Sequence, residues 1–305
     1  MRVCLMIEGQ EGVTWPQWVA LAEACEAAGL EALFRSDHYT GIQVGEAGSL
    51  DAWATICALG AVTSRLRLGT LVSPATFRHP SVLARTVVTA AEVSAGRVEL
   101  GFGAGWFEAE HREHGIPFPP TPERVAVFSE QLQIISRSFA SGRFDFDGRY
   151  YTLEDANPLP KPSAPIPIIV GGSARRGTVE PAVRFADEYN TFFVTPDEAR
   201  RRRDVVERAC DATGRDPLTF SLMTQGIVGE NEPAVRRRRQ AIADLTGKDP
   251  GDRADAKIEG TVEQVVERLQ EYAKAGVERV MLQHLLHTDL EMIELVGEVA
   301  RAAGP

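Results

Sequence analysis

The chain has 305 residues, of which 44% are hydrophobic and 25% charged, with a formal net charge of −10 at pH 7. Those values belong to a globular protein able to bury a large core. The acidic balance excludes a general nucleic-acid binder, which needs a basic face against phosphates.

In chain order, short apolar runs alternate with longer helical patterns. Val3-Cys4-Leu5-Met6-Ile7 reads as a buried strand, and Trp15 to Ala28 as a helix stopped by Gly29. Ala32 to Arg35 is a second strand, followed by a helix over Leu50 to Thr63. Leu66 to Val72 and Arg97 to Gly103 are the next strands, with a helix over Ser81 to Ser94 between them. The rhythm then breaks. Phe107 to Pro122, rich in proline, glycine and charge, reads as a long loop, and Glu123 to Ala140 as a helix. Arg143 to Leu153 alternates aromatic and polar residues around Asp147-Gly148, a hairpin signal. A proline-rich strap, Asn157 to Pro167, follows.

The alternation then resumes, with strands over Pro167 to Val170, Asn190 to Val194, Thr219 to Val228 and Val277 to Leu285. The helices are Ala174 to Ala186, Pro196 to Thr213, Pro233 to Leu245, Thr261 to Ala275 and Leu290 to Ala302. Near-continuous apolar strands suit a sheet covered on both faces. Eight such units predict one closed (β/α)8 TIM barrel over residues 1–305, with a helix and hairpin inserted between strands 4 and 5. The runs Arg200 to Arg203 and Arg236 to Arg239 encircle their helices, so they read as solvated faces with some i,i+4 pairing.

Cys4, Cys25, Cys57 and Cys210 are dispersed, with no accompanying ligand cluster, and read as reduced thiols rather than a metal site. No stretch approaches the roughly 20 apolar residues that span a bilayer. The apolar run before Glu8-Gly9 lacks a cleavage site. A cytoplasmic protein without membrane or nucleic-acid partners is expected.

Barrel chemistry lies just beyond the C-terminal ends of the strands. There stand Glu8, Ser36-Asp37-His38, Thr70-Leu71-Val72-Ser73-Pro74, Gly101-Phe102-Gly103-Ala104-Gly105-Trp106, Gly171-Gly172-Ser173 and Gln283-His284. Gly171-Gly172-Ser173 precedes a helix with Arg175 and Arg176 in its first turn. It reads either as a phosphate cradle or as an ordinary turn with a serine N-cap. Gly101-x-Gly103-x-Gly105 lacks the third glycine of a dinucleotide fingerprint at the required spacing. It suggests room for a flat ligand instead. Asp37-His38 at a strand end reads as an acid–base pair.

These residues bear a resemblance. Arg35-Ser-Asp-His-Tyr39, the segments over residues 67–84 and 96–119, Ile168 to Arg176 and Gly260 to Gln283 resemble the luciferase-like monooxygenase superfamily. Within it they resemble the branch that uses the deazaflavin coenzyme F420. The resemblance runs essentially from end to end. It implies that Asp37 and His38 approach the deazaflavin ring and that Leu71-Val72 is a non-prolyl cis bond behind it. It also implies that Gly171, Gly172 and Ser173 bind the coenzyme phosphate, with Val170, Arg175, Thr70, Gly103 and Gly105 around the coenzyme. Glu8, Trp106, Phe107, Glu110 and His111 would line the substrate pocket, although His111 reads equally as a surface loop residue. Relatives that oxidise a sugar phosphate carry glutamate where this chain has Trp106, which argues against that activity.

The expected activity is hydride transfer between F420 and a small organic substrate, with His38 handling a proton and Asp37 setting its polarity. The alternative in the same superfamily is an FMN-dependent monooxygenase served by a separate reductase. A catalytically silent flavin-binding barrel and an acid–base hydrolase are the remaining readings. A homodimer is expected from the resemblance.

Overall fold

The first strand and the last lie side by side. β1 (Arg2–Ile7) pairs in parallel with β12 (Arg279–Gln283), in register from Arg2 opposite Arg279 to Met6 opposite Gln283. The computed structural model describes residues 1–45, 47–248 and 251–304. Between those two strands run α1 (Trp15–Ala28), β2 (Ala32–Arg35), α2 (Ala52–Val62), β3 (Arg67–Thr70), β4 (Ser73–Pro74), α3 (Pro80–Val93) and β5 (Val98–Gly103). The insertion holds α4 (Glu108–Glu113), α5 (Thr121–Phe139), β6 (Phe144–Asp147) and β7 (Thr152–Ala156). Then come β8 (Ile168–Gly171), α6 (Arg176–Phe185), β9 (Glu188–Phe192), α7 (Pro196–Thr213), β10 (Thr219–Gly229), α8 (Glu232–Thr246), β11 (Ile258–Thr261) and α9 (Val262–Lys274). After β12 the chain ends on α10 (Leu290–Ala303).

The parallel order β1-β2-β3-β5-β8-β9-β10-β12 returns to β1, so the barrel closes. The expected (β/α)8 architecture is present, with its helix and hairpin between β5 and β8. Local chemistry sets the ends. Gly29, at φ 76°, turns α1 off and returns its N–H to Glu26. Thr195 and Glu198 form a capping box on α7. Four details differ from the sequence reading. The long loop contains α4. α6 starts at Arg176 rather than Ala174. The sixth barrel strand lies at Glu188–Phe192, two residues earlier than expected. Arg238 is buried rather than solvated, bound to Asp289 at 2.6 Å and to the Val228 carbonyl at 2.9 Å. The i,i+4 pairing does appear at Arg203–Glu207 and Arg236–Glu232.

Alternation along each strand builds two cores. Leu5, Leu100, Val170 and Leu282 face the helices, while Cys4, Met6, Phe34, Ile169 and Met281 fill the barrel interior. At the N-terminal end the interior is ionic. Arg279 donates to Glu99 at 2.7 Å and to Glu188 at 3.0 Å, and Arg67 reaches Glu99 at 2.5 Å. Burial pushes the Glu99 carboxyl up, but Arg279 and Arg67 outweigh it and hold the group below its usual range. Glu188, more weakly compensated, stays raised by burial.

Removing the shared cation leaves Glu188 without its cationic partner and Glu99 with Arg67 alone. Arg279→Met is expected to cost about 3–5 kcal/mol in urea unfolding. Adding Glu99→Gln and Glu188→Gln should restore much of that loss. A cost below about 1 kcal/mol for the single variant would show that the network is not a stabilising centre.

Candidate active site

The rim at the C-terminal strand ends holds charged groups, and each buried one has a partner. Asp37, 1% exposed, follows β2. Its carboxylate accepts from Arg78 Nη1 at 2.5 Å and Nη2 at 3.2 Å, and from Ser73 Oγ at 2.6 Å. Arg78 also reaches Asp51, the α2 N-cap, at 2.8 Å. Burial disfavours the charged guanidinium, but Asp37, with Tyr39 and Asp51, raises its pKa further above the ordinary range. Asp37 is therefore a locked ion-pair partner. Its charge nonetheless adds to those that raise the pKa of His38.

His38 points elsewhere. Its Nδ1 lies 2.6 Å from Glu110 Oε1 on α4, and Glu110 Oε2 accepts the Tyr39 amide at 3.0 Å. Burial opposes protonation of the imidazole. The Glu110 hydrogen bond and charge, helped by Glu8 and Asp37, prevail, and the pKa is raised above 6.5. Among the described residues Nε2 has no hydrogen-bond partner, and 14% of the side-chain surface is open. The rings of Trp106 and Phe107 lie edge-on to His38, with centroids at 5.7 and 6.0 Å.

Glu8 caps β1 between two amides. Gln283 Nε2 donates to it at 2.6 Å and Gln10 Nε2 at 2.9 Å. Trp106 is 64% exposed. His111 is neither a surface nor a pocket residue. It is buried, with Nδ1 at 2.7 Å from the Phe107 carbonyl and Nε2 at 2.7 Å from Thr76 Oγ1. It anchors α4 to the loop after β4.

The Leu71–Val72 peptide is cis, as the resemblance implies. Thr70 is buried and donates its hydroxyl to the Gly101 carbonyl at 2.9 Å. Val72 packs into a glycine seat. A Cβ on Gly101, Gly103 or Gly171 would come within 3.1, 2.8 and 3.1 Å of its methyl groups. A Cβ on Gly105, at φ +81°, would meet Thr76 Oγ1 at 2.8 Å. Val170 belongs to the helix-facing core, so its side chain does not reach the mouth.

The turn after β8 departs from a serine-capped helix, since Arg175 is the N-cap of α6. Gly172 must be glycine because Tyr189 Oη and Thr178 occupy the space of a side chain. Its N–H goes to the Asn190 carbonyl and that of Ala174 to Tyr189 Oη. Among the described residues, the Ser173 hydroxyl and the amides of Ser173, Arg175 and Arg176 remain unpartnered. A helix N-terminus with free amides and two arginines fits an anion. No group of three potential metal ligands occurs among the described residues, and no described helix is long and apolar enough to cross a membrane.

Sequence reasoning placed Ser73 at the rim without a role and gave none to Arg78 or Thr76. Arg78 had a usable signal, because a carboxylate buried at a strand end requires a cation nearby.

Fold and rim together define a parallel (β/α)8-barrel protein whose candidate site residues gather at the strand-end rim. The model of the luciferase-like monooxygenases matches residues 3–279, and the chain belongs to that family. An F420-dependent glucose-6-phosphate dehydrogenase of Microbacterium testaceum is 35% identical over 168 residues, 54% of this chain and 49% of the relative. The chain thus spans about half the length of such curated relatives. A pyrimidine monooxygenase RutA of Enterobacter cloacae is 28% identical over 84% of this chain and 69% of its own. A solved F420-dependent secondary alcohol dehydrogenase, in complex with an F420-acetone adduct, superposes with a TM-score of 0.86 at 19% identity. That match covers 100% of this chain and 99% of the other.

At the end of β12, His284 is buried with both ring nitrogens unpartnered among the described residues. Burial depresses its pKa to about 3 and that of His287 to about 4. The unfolded chain binds these protons near pH 6.5 and the folded chain does not, so stability should fall as pH drops from 6.5 towards 4. His284→Leu should flatten that decline by up to about 1.4 kcal/mol per pH unit. Urea unfolding at pH 7, 5.5 and 4.5 checks this, and an unchanged slope would discount His284.

Proposed function

We propose that this chain is a coenzyme F420-dependent oxidoreductase that moves a hydride between the deazaflavin and a small organic substrate. The observation that carries the reading is His38, held through Nδ1 with Nε2 free, on a rim that also offers a glycine-backed wall and an anion-binding turn. The F420 dependence named for several relatives, at 34–36% identity, supports the choice of coenzyme. The coenzyme supplies hydride transfer when bound.

The chain's residues do the rest. Ser173, Arg175 and the amides of the β8–α6 turn hold the phosphate. Leu71 and Val72, seated on Gly101, Gly103 and Gly171, back the flat ring, with Thr70 fixing that wall through the Gly101 carbonyl. Asp37, fixed by Arg78 and Ser73, anchors the end of β2. His38 accepts a proton at Nε2 as a substrate hydroxyl is oxidised, and returns it in the opposite direction. Trp106 and Phe107 form the aromatic side of the substrate pocket, and Glu8 supplies a polar group at its floor. A homodimer in the cytoplasm goes with this reading.

The second reading is an FMN-dependent monooxygenase, supported by the broad coverage of the pyrimidine monooxygenase relative. It needs reduced flavin from a separate reductase. Absorbance titrations decide between the two. F420 should bind the purified protein more tightly than FMN, and tight FMN binding without F420 binding would overturn the first reading. In the F420-supported reaction, His38→Ala should lower kcat/KM by about 10²–10⁴-fold while leaving coenzyme affinity within tenfold.

A further inference from the structure

We infer that Glu110 is a positioning residue that holds His38 in the Nδ1–H form and thereby reserves Nε2 for the travelling proton. Glu110 comes from the insertion, not from a barrel strand, and sits on the six-residue helix α4. It is buried, at 1% exposure, where an ionised carboxylate needs full hydrogen bonding. Its two oxygens are divided between the Tyr39 amide at 3.0 Å and His38 Nδ1 at 2.6 Å. The amide contact matters because a backbone N–H can only donate. It presents Oε2 as an acceptor and aims Oε1 at the imidazole. A carboxylate facing Nδ1 requires a proton there, so the neutral ring carries its lone pair on Nε2.

The helix that delivers Glu110 is itself pinned. His111 binds Thr76 Oγ1 at 2.7 Å and packs at a tilt against Phe77 and Phe118, with ring centroids at 5.2 and 4.6 Å. The charged groups around the imidazole are Glu110 on α4, Glu8 at the end of β1 and Asp37 beside it, the last already neutralised by Arg78. Of these only Glu110 touches the ring, so it is the charge that most offsets the burial opposing protonation. The assignment rests on His38 being the proton-handling group proposed above.

Nitrogen-15 histidine-labelled full-length protein, without coenzyme, tests this by NMR titration, with His38→Gln assigning the resonance. The wild type should show the Nδ1–H tautomer when neutral. In Glu110→Gln, which retains an acceptor for the Tyr39 amide, the His38 titration should fall by one pH unit or more. The limb of the kcat/KM profile that reports His38 should move with it. Should Glu110→Gln fail to fold, Glu110→Asp keeps the charge but draws it back from Nδ1, and should shift the titration by a smaller amount in the same direction. A His38 titration unmoved in the folded variant, or an Nε2–H tautomer in the wild type, overturns the assignment. That result leaves the oxidoreductase reading standing, whereas full activity in His38→Ala removes the reading itself.

Discussion

The hydrogen bonds between β1 and β12 are the constraint on which the rest depends. They join residues 2–6 to residues 279–283 and make the sheet a closed surface. In a closed parallel sheet all strands end on the same rim, so residues far apart in sequence become neighbours there. Glu8 and Gln283, 275 positions apart, meet at 2.6 Å for this reason. Closure also creates an interior that side chains must fill. Ionic groups occupy its N-terminal layer around Arg279, sulfur and aromatic groups its middle, and the glycine-backed Val72 its top. The seat that Val72 occupies is thus a consequence of small residues at the ends of β5 and β8.

Charge burial at that rim forces a second kind of order. Asp37 and His38 are adjacent, yet they are satisfied from opposite directions. Arg78, beyond β4, answers one and Glu110, on α4, answers the other. Successive residues at the end of an extended segment point to opposite sides, so a single loop could not have served both. The insertion after β5 is therefore part of the site. Without α4 docked, His38 would lose the neighbour that most favours its protonation.

The barrel was legible because its strands are apolar on both faces and its helices carry strong stops, such as Gly29 after α1 and Gly214 after α7. The rim followed from the fold, which is why Glu8, Asp37, His38 and the β8–α6 turn could be named. What stayed hidden depended on contacts across the rim. α4 is only six residues long, and its favourable acid-first, base-last pattern is masked by the glycine and prolines that follow. Glu110 and His111 both read as pocket-lining, yet one holds His38 and the other holds α4 to Thr76. Val170 was expected around the coenzyme, but strand alternation turns its side chain towards the helices. Ser173 looked like a cap until the helix proved to begin three residues later, at Arg176.

That later start has a chemical consequence. Had Ser173 capped α6, its hydroxyl would have been spent on the helix's own amides. Instead Arg175 takes the N-cap position without a side-chain bond, and the Ser173 hydroxyl stays available. Tyr189 holds the turn open by binding the Ala174 amide and Thr178, so its shape does not rely on a ligand. Free donors on a preformed turn lose little conformational freedom when an anion arrives. The acidic chain, at −10 overall, thus keeps a local set of free donors beside Arg175 at a helix terminus. In the proposed reading such a turn would fix one end of a phosphorylated coenzyme, while the glycine-seated wall would limit where its flat end can lie.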